Sequence, residues 1–350
     1  MERTWVSSLV EGQEVSAAFQ VRSRQLRTHR SRTGSYLTLV LGDRTGDMPA
    51  VAWEDADRWH QVAREGAVLF THGHCQTYNG EVQLVIEHLA PAIDGEFDPA
   101  DFLPSSTRDS AAMAREFRAE VNSVRHRGLR MLLELIFDRE GFATFALAPA
   151  AQNIHHAYLG GLLEHTLEVA RLCRAQVAIH PELDADLVVT GALLHDIGKT
   201  REYSYITSLD VTDEGGLLGH IAIADALIVQ NAARISALTP ELLLQLRHML
   251  LSHHGRHEWQ SPQEPKTLEA VALHLADYTS TQLAIFTVGL RQVERPGNWT
   301  PYHRQLERRL YAGPRTLTPF AGQRVRESTN FDYDPGDADP PALEVSQPQQ

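Results

Sequence analysis

The chain has 350 residues, 43% apolar and 22% charged, with a formal charge of -13. That mix excludes a wholly disordered chain, and the length predicts about two domains. The acidic balance excludes binding of nucleic acid by bulk charge, though not by a local basic groove.

No run of about 18 apolar residues occurs, and the N-terminal stretch has no basic region followed by a long apolar core. Neither a membrane span nor a secretory signal is predicted. Cys75 and Cys173 are the only cysteines. They exclude a disulfide framework and a Cys-rich zinc module, and they fit a reducing cytoplasm.

In chain order, Val15, Ala17, Phe19 and Val21 alternate with polar neighbours, the pattern of a half-buried strand. Leu37, Leu39 and Leu41 alternate in SYLTLVLGD, and the Gly/Asp turn GDRTGD leads into MPAVAW. A short amphipathic piece, DADRWHQVA, precedes AVLFTHGH. Asn79-Gly80 is then a hairpin turn before EVQLVIEH. Five strands with a helix between the third and fourth is the order of an OB-fold barrel, placed at 12–92.

Residues 93–150 read as a linker and connecting helices. Pro, Asp and Ser crowd 91–110, and a helical pattern begins at Ser110. Further helices are predicted at 157–177, 184–198, 217–236, 240–253 and 266–286, within a helical domain spanning 151–312. The acidic, Pro-rich 327–350 reads as a disordered tail. The fold class is therefore multidomain α+β: a five-stranded barrel followed by an all-α bundle.

Of the 18 histidines, 12 lie at or after His155, and the only lysines are Lys199 and Lys266. The central motif is LLHDIGK, with His195 and Asp196 ending an apolar helical stretch. His165 lies in LLEHT, His220 in LGH, His253 and His254 in LSHHG, and Asp277 in LHLADY. A lone histidine of this kind is best read as a satisfied core residue. Five such sites with two acids reverse that reading, because buried imidazoles and carboxylates cost several kcal/mol unless paired or bound to metal. Imidazole with carboxylate suits Mn, Fe, Co, Ni or Zn, and a helical bundle can bring such ligands together from distant positions.

His165, His195-Asp196 and Asp277 resemble the H…HD…D signature of HD-domain metal-dependent phosphohydrolases. His220 and His253-His254 resemble its two-metal branch. With the barrel in front, the order HHAYLGGLLEHT, HDIGKTREY, GH and SHHG looks like the YhaM-type 3′-5′ exoribonuclease family, over most of 12–300. The resemblance implies one metal on His165, His195, Asp196 and Asp277. A second would share Asp196 and take His220 and one of His253 and His254, with His253 favoured. Manganese is the first expectation for both ions. Two divalent ions 3.5–4 Å apart clamp a scissile phosphate in such sites. Their charge exceeds that of the two aspartates, so an anion can enter although the chain is acidic.

Lys199, three residues after Asp196, is a candidate to meet a substrate phosphate or the leaving oxygen, against a reading as a surface lysine. His155 and His156 are candidates for a substrate role, and Glu202 and Tyr203 for orienting a ligand. Position 161 is Gly, where an HD-GYP cyclic-dinucleotide hydrolase would usually offer a carboxylate, and the GYP stretch is absent.

Arg22, Arg24, Arg27, Arg30 and Arg32 fall at the end of the first strand and the loop after it, where OB-folds usually hold single strands. Tyr36, Trp53 and Tyr78 are candidate stacking platforms. The expected function is metal-dependent 3′-5′ hydrolysis of single-stranded RNA, with single-stranded DNA as a second substrate to test, releasing nucleoside 5′-monophosphates in the cytoplasm. A homo-oligomer is left open and no membrane partner is expected. The alternatives are an HD-type nucleotide or cyclic-nucleotide phosphohydrolase and, of another class, a strand-binding factor with a structural metal site.

Overall fold

Alternating apolar residues make five strands that can bury one face only by closing on themselves. In the computed structural model these are β1 (Glu14–Thr28), β2 (Ser35–Asp43), β3 (Gly46–Ala52), β4 (Val68–Tyr78) and β5 (Glu81–Pro91), with helix α1 (Ala56–Val62) between β3 and β4. They form a closed barrel in the order β1-β2-β3-β5-β4, and β4 also pairs with β1. This is the expected OB-fold, and closure leaves no free sheet edge. The structure describes residues 3–28, 33–78, 80–92, 97–152, 156–205, 209–290, 297–304 and 306–313. The predicted tail at 327–350 and Asn79 of the hairpin turn lie outside them.

The barrel interior is filled by Val15, Phe19, Val21, Leu37, Leu39, Leu41, Leu69 and Leu84, all buried. Each such side chain contributes about 1.5–3 kcal/mol on leaving water. β1 runs further than expected and carries its arginines as far as Arg27 on paired strand rather than in a loop.

The helical part follows. α2 (Ser110–Ser123), α3 (Arg127–Ile136) and α4 (Arg139–Leu147) replace the single helical stretch read from Ser110 onward. The break between α2 and α3 is set from outside. Asp186 Oδ2 accepts from the backbone N–H of Arg125 at 3.0 Å and of His126 at 2.7 Å.

Next come α5 (Gly161–Ile179), α6 (Ala185–Leu194) and the short α7 (Lys199–Glu202), then the two-residue strands β6 (Tyr203–Ser204) and β7 (Asp210–Val211). α8 (Asp213–Ala232), α9 (Pro240–Leu251) and α10 (Leu268–Leu290) complete the bundle. Side-chain caps fix several starts: Asp184 accepts from the N–H of Leu187 at 3.0 Å, Thr212 from Gly215 at 2.9 Å and Thr239 from Leu242 at 3.2 Å. Leu163, Leu167, Leu187, Leu193, Met249 and Leu273 share one buried core.

Three expectations change here. The helix read as 184–198 ends at Leu194, so His195, Asp196, Ile197 and Gly198 form a turn. α5 begins at Gly161 rather than 157. The domain expected to be all-helical also carries a hairpin, β8 (Trp299–His303) with β9 (Arg308–Tyr311), packed through Leu306 and Leu310 against Ile285 of α10. Among the described residues no helix is long and apolar enough to cross a membrane.

Candidate metal centre and strand-binding face

The turn after α6 puts His195 and Asp196, both buried, against side chains carried by α5, α8, α10 and the segment after α9. His165 is mid-way along the first turns of α5, and Asp277 lies on α10. His220 follows Gly219, whose φ of 73° kinks α8. That left-handed conformation suits glycine, and it lets the chain bend just before the ligand candidate. His253 and His254 follow the end of α9.

Each of the five imidazoles is held by its Nδ1. His195 Nδ1–H donates to the carbonyl of Ala192 at 2.8 Å, His253 to Leu250 at 2.7 Å and His254 to Trp259 at 2.9 Å. His220 donates to Glu202 Oε1 at 3.2 Å. His165 donates to Ser280 Oγ at 3.1 Å, and Ser280 in turn donates to Glu168 Oε2 at 2.8 Å. Anchoring Nδ1 selects the tautomer that leaves the Nε2 lone pair free for a metal.

Nε2 of His165 lies 3.2 Å from Asp277 Oδ1 and 3.3 Å from Nε2 of His195. Asp196 stands between two groups. Its Oδ2 is 3.5 Å from His165 Nε2 and 3.3 Å from His195 Nε2. Its Oδ1 is 3.5 Å from His220 Nε2 and 3.7 Å from His253 Nε2. The ligand atoms of His165, His195 and Asp277 lie within 4.8 Å of one another, as do those of His220, His253 and His254. All seven sequence-derived candidates are thus brought together, with His253 buried and His254 half-buried.

The donor set fits two divalent ions. Asp196 Oδ1, His220 Nε2 and His253 Nε2 are buried without a hydrogen-bond partner, a cost that a cation at that point removes. Burial pushes the His165, His253 and His254 imidazoles below their ordinary range, favouring the neutral form that ligates. Burial acts the same way on His195, but the charges of Asp196 and Asp277 outweigh it and raise that group. Burial alone would raise the Asp196 carboxyl. Lys199 and His195 reverse the effect and hold it well below the usual carboxylate range.

Lys199 is no surface lysine. It is buried, and its Nζ donates to Asp196 Oδ2 at 2.7 Å. It reaches Asp196 across a turn, not along a continuing helix. Glu202 holds both the ring and the backbone N–H of His220, the latter at 3.1 Å. Ser280 and Glu168 were not legible as partners of His165, because no local spacing links α5 to α10. His156 is buried with its Nε2 3.6 Å from Glu168 Oε1, and its ring is 5.6 Å from that of His165. His155 lies outside the described residues.

On the barrel, the candidates divide. Arg22, expected on the strand path, is turned inward. Its guanidinium is bound by Asp47 at 3.1 Å and by the carbonyl of Phe102 at 2.9 Å, with Gln20 beside it. It serves the joint between the barrel and the following segment. Arg24 donates to the carbonyl of His60. Arg27 is exposed, and its Nε donates to Gln25 at 2.8 Å. Arg27 pairs with Tyr36 across β1 and β2, and the next pairing, Leu37 with Ala52, brings Trp53 beside Tyr36. The Tyr36 and Trp53 rings lie 5.0 Å apart. Arg27, Tyr36 and Trp53 therefore form one row on the outer face, while the exposed Tyr78 lies apart from it at the end of β4. Arg30 and Arg32 lie outside the described residues.

A barrel with an outward row of cation and aromatics, joined to a helical bundle with two histidine-aspartate clusters, defines an OB-fold coupled to an HD-type phosphohydrolase domain. Residues 18–92 match the family model described as OB-fold nucleic acid binding domain, and residues 162–282 match the HD domain. The chain is 32% identical over 286 residues to the 3′-5′ exoribonuclease YhaM of Shouchella clausii, covering 81% of this chain and 88% of that one. It is 30% identical over 304 residues to that of Bacillus velezensis, covering 87% and 96%, and 30% identical over 280 residues to that of Bacillus subtilis, covering 80% and 88%. The chain belongs to the YhaM family of 3′-5′ exoribonucleases.

Proposed function

We propose that the chain removes nucleotides one at a time from the 3′ end of single-stranded RNA, releasing nucleoside 5′-monophosphates, with the barrel holding the strand. The observation that carries this reading is the placement of Asp196, one oxygen toward each histidine cluster, with the Nε2 atoms of His165, His195, His220 and His253 preset around it. His165, His195, Asp196 and Asp277 would hold one divalent ion, and Asp196, His220, His253 and His254 the second, with manganese the first expectation. Bound there, the pair supplies positive charge to polarise a phosphodiester and acidify water.

The protein's own groups orient and exclude. The Nδ1 anchors fix the rings, and the buried floor of α6 keeps bulk water out. Lys199 balances the Asp196 charge and stands where a phosphate oxygen would arrive. Water attacks phosphorus, the bond from phosphorus to the 3′ oxygen of the preceding nucleotide breaks, and that oxygen leaves as the new 3′-hydroxyl after gaining a proton. Arg27, Tyr36 and Trp53 give the strand a phosphate contact and a stacking surface that do not depend on sequence. Both cysteines are buried and unpaired, which supports a cytoplasmic setting.

The test uses 5′-labelled single-stranded RNA and DNA with a panel of divalent metals. Stepwise shortening with 5′-monophosphate products supports the reading. Inertness on RNA with hydrolysis of cyclic dinucleotides or dNTPs favours the nucleotide-phosphohydrolase alternative. Strand binding with no metal-stimulated turnover favours the binding-factor alternative.

A further inference from the structure

Beside the metal centre, the Trp259 and Tyr278 side chains take no part in holding the histidine rings. Trp259 and Tyr278 lie in parallel planes, 2° apart, with ring centroids separated by 5.4 Å. The Arg256 guanidinium sits 5.1 Å from the Trp259 ring centre. Although both rings adjoin the ligand candidates, Trp259 remains 42% exposed and Tyr278 41%. They stand on the two segments that carry ligand candidates. Tyr278 follows Asp277, and the Trp259 carbonyl anchors His254. His274, whose ring also faces the pair, is tied by Nδ1 to the carbonyl of His253 at 2.8 Å.

The segment leading from the barrel meets the helical domain where Ser105 bridges Leu159 and Ser106 donates to Glu164 at 2.6 Å. From there a line of ring contacts runs from His156 through His165, His195 and His253 to His254. The stack adjoins both ends of that line, since Tyr278 follows Asp277 of the His165 cluster and the Trp259 carbonyl anchors His254.

We infer that Trp259 and Tyr278, stiffened by Arg256, form the subsite that stacks the nucleobase of the nucleotide being released. This rests on the exonuclease reading for which nucleotide occupies it. A base added to an aromatic pair needs no specific hydrogen bonds, so the subsite accepts every base, as degradation of a mixed sequence requires, and stacking of this kind is worth about 1–3 kcal/mol per base.

The experiment compares equilibrium binding of 5′-AMP and ribose 5-phosphate to the metal-loaded full chain by calorimetry, in wild type, Trp259→Ala, Tyr278→Ala and Trp259→Tyr. Wild type should prefer 5′-AMP by about tenfold or more. Each alanine variant should lose most of that preference by weakening 5′-AMP alone, and Trp259→Tyr should retain it. A wild-type protein that binds the two equally overturns the inference with no variant needed, as does an alanine variant that keeps the full preference. A strand with an abasic 3′-terminal nucleotide, assayed in parallel, should show a KM raised about tenfold in wild type and unchanged by Tyr278→Ala. If the base preference holds while RNA is not hydrolysed at all, the exonuclease reading fails and the nucleobase subsite stands.

Discussion

Gly198 lies against the backbone of His220: a Cβ at position 198 would run into the His220 carbonyl oxygen. The glycine of the HDIGK turn is thus what lets α8 deliver its histidine to the oxygen of Asp196 that faces away from His165. Gly198→Ala must push α8 outward, because the colliding atom is backbone rather than a flexible side-chain end. The expected outcome is a metal content falling from about two toward one per chain, with the fold retained by circular dichroism. Two ions per chain at normal turnover would show that α8 yields at no cost.

Asp196 joins both clusters and also neutralises Lys199. Asp196→Asn should abolish turnover and weaken both ions. It should also destabilise the protein by about 3–5 kcal/mol, since it leaves a buried ammonium without its counter-charge. Asp196→Asn combined with Lys199→Met should recover much of the stability and none of the activity. Thermal melts separate the two effects, and a double variant no more stable than the single one contradicts the pairing.

Glu202 orients His220, and Ser280 orients His165. Loss of such an outer partner costs roughly 10–100-fold in metal affinity. Glu202→Ala should weaken the ion at His220 and spare the other, while Ser280→Ala should weaken the ion at His165. Titration of the stripped protein with manganese, followed by metal-sensitive spectroscopy, reads the two affinities separately. Identical effects of the two variants would mean that the clusters do not hold separate ions.

The barrel row makes a prediction about substrate length. Arg27→Ala should lower the salt slope of single-strand binding by about 0.7, the share of one phosphate. Trp53→Ala should weaken long-strand binding by about 1–3 kcal/mol at any salt. Neither should alter hydrolysis of a dinucleotide, which need only reach the metal pocket. Arg22→Ala, by contrast, should lower the melting temperature, because that side chain ties the barrel to the Phe102 segment. Equal losses on long and short substrates would place Arg27 and Trp53 in support of the active site instead.

The elements and the chemical inventory are legible from local patterns in the chain. Alternation of apolar residues such as Leu37, Leu39 and Leu41 dictates strands, and three- and four-residue apolar spacing dictates helices, because both depend on near neighbours. Seven candidate ligands, five histidines and two aspartates set in apolar helical stretches and in LLHDIGK, carried the metal reading before any contact was known. Only tertiary packing decided how those residues were used. Asp186 of α6 breaks the helical stretch after Val124, Arg22 turns inward to Phe102, and Glu202, Ser280 and Trp259 each fix a histidine ring. His165 and Ser280 are 115 residues apart, so no periodicity in the chain records that they meet. Their contact exists because the buried leucines of α5 and α10 pack into one core, and the polar groups carried on those helices have no water left to bond with other than through each other.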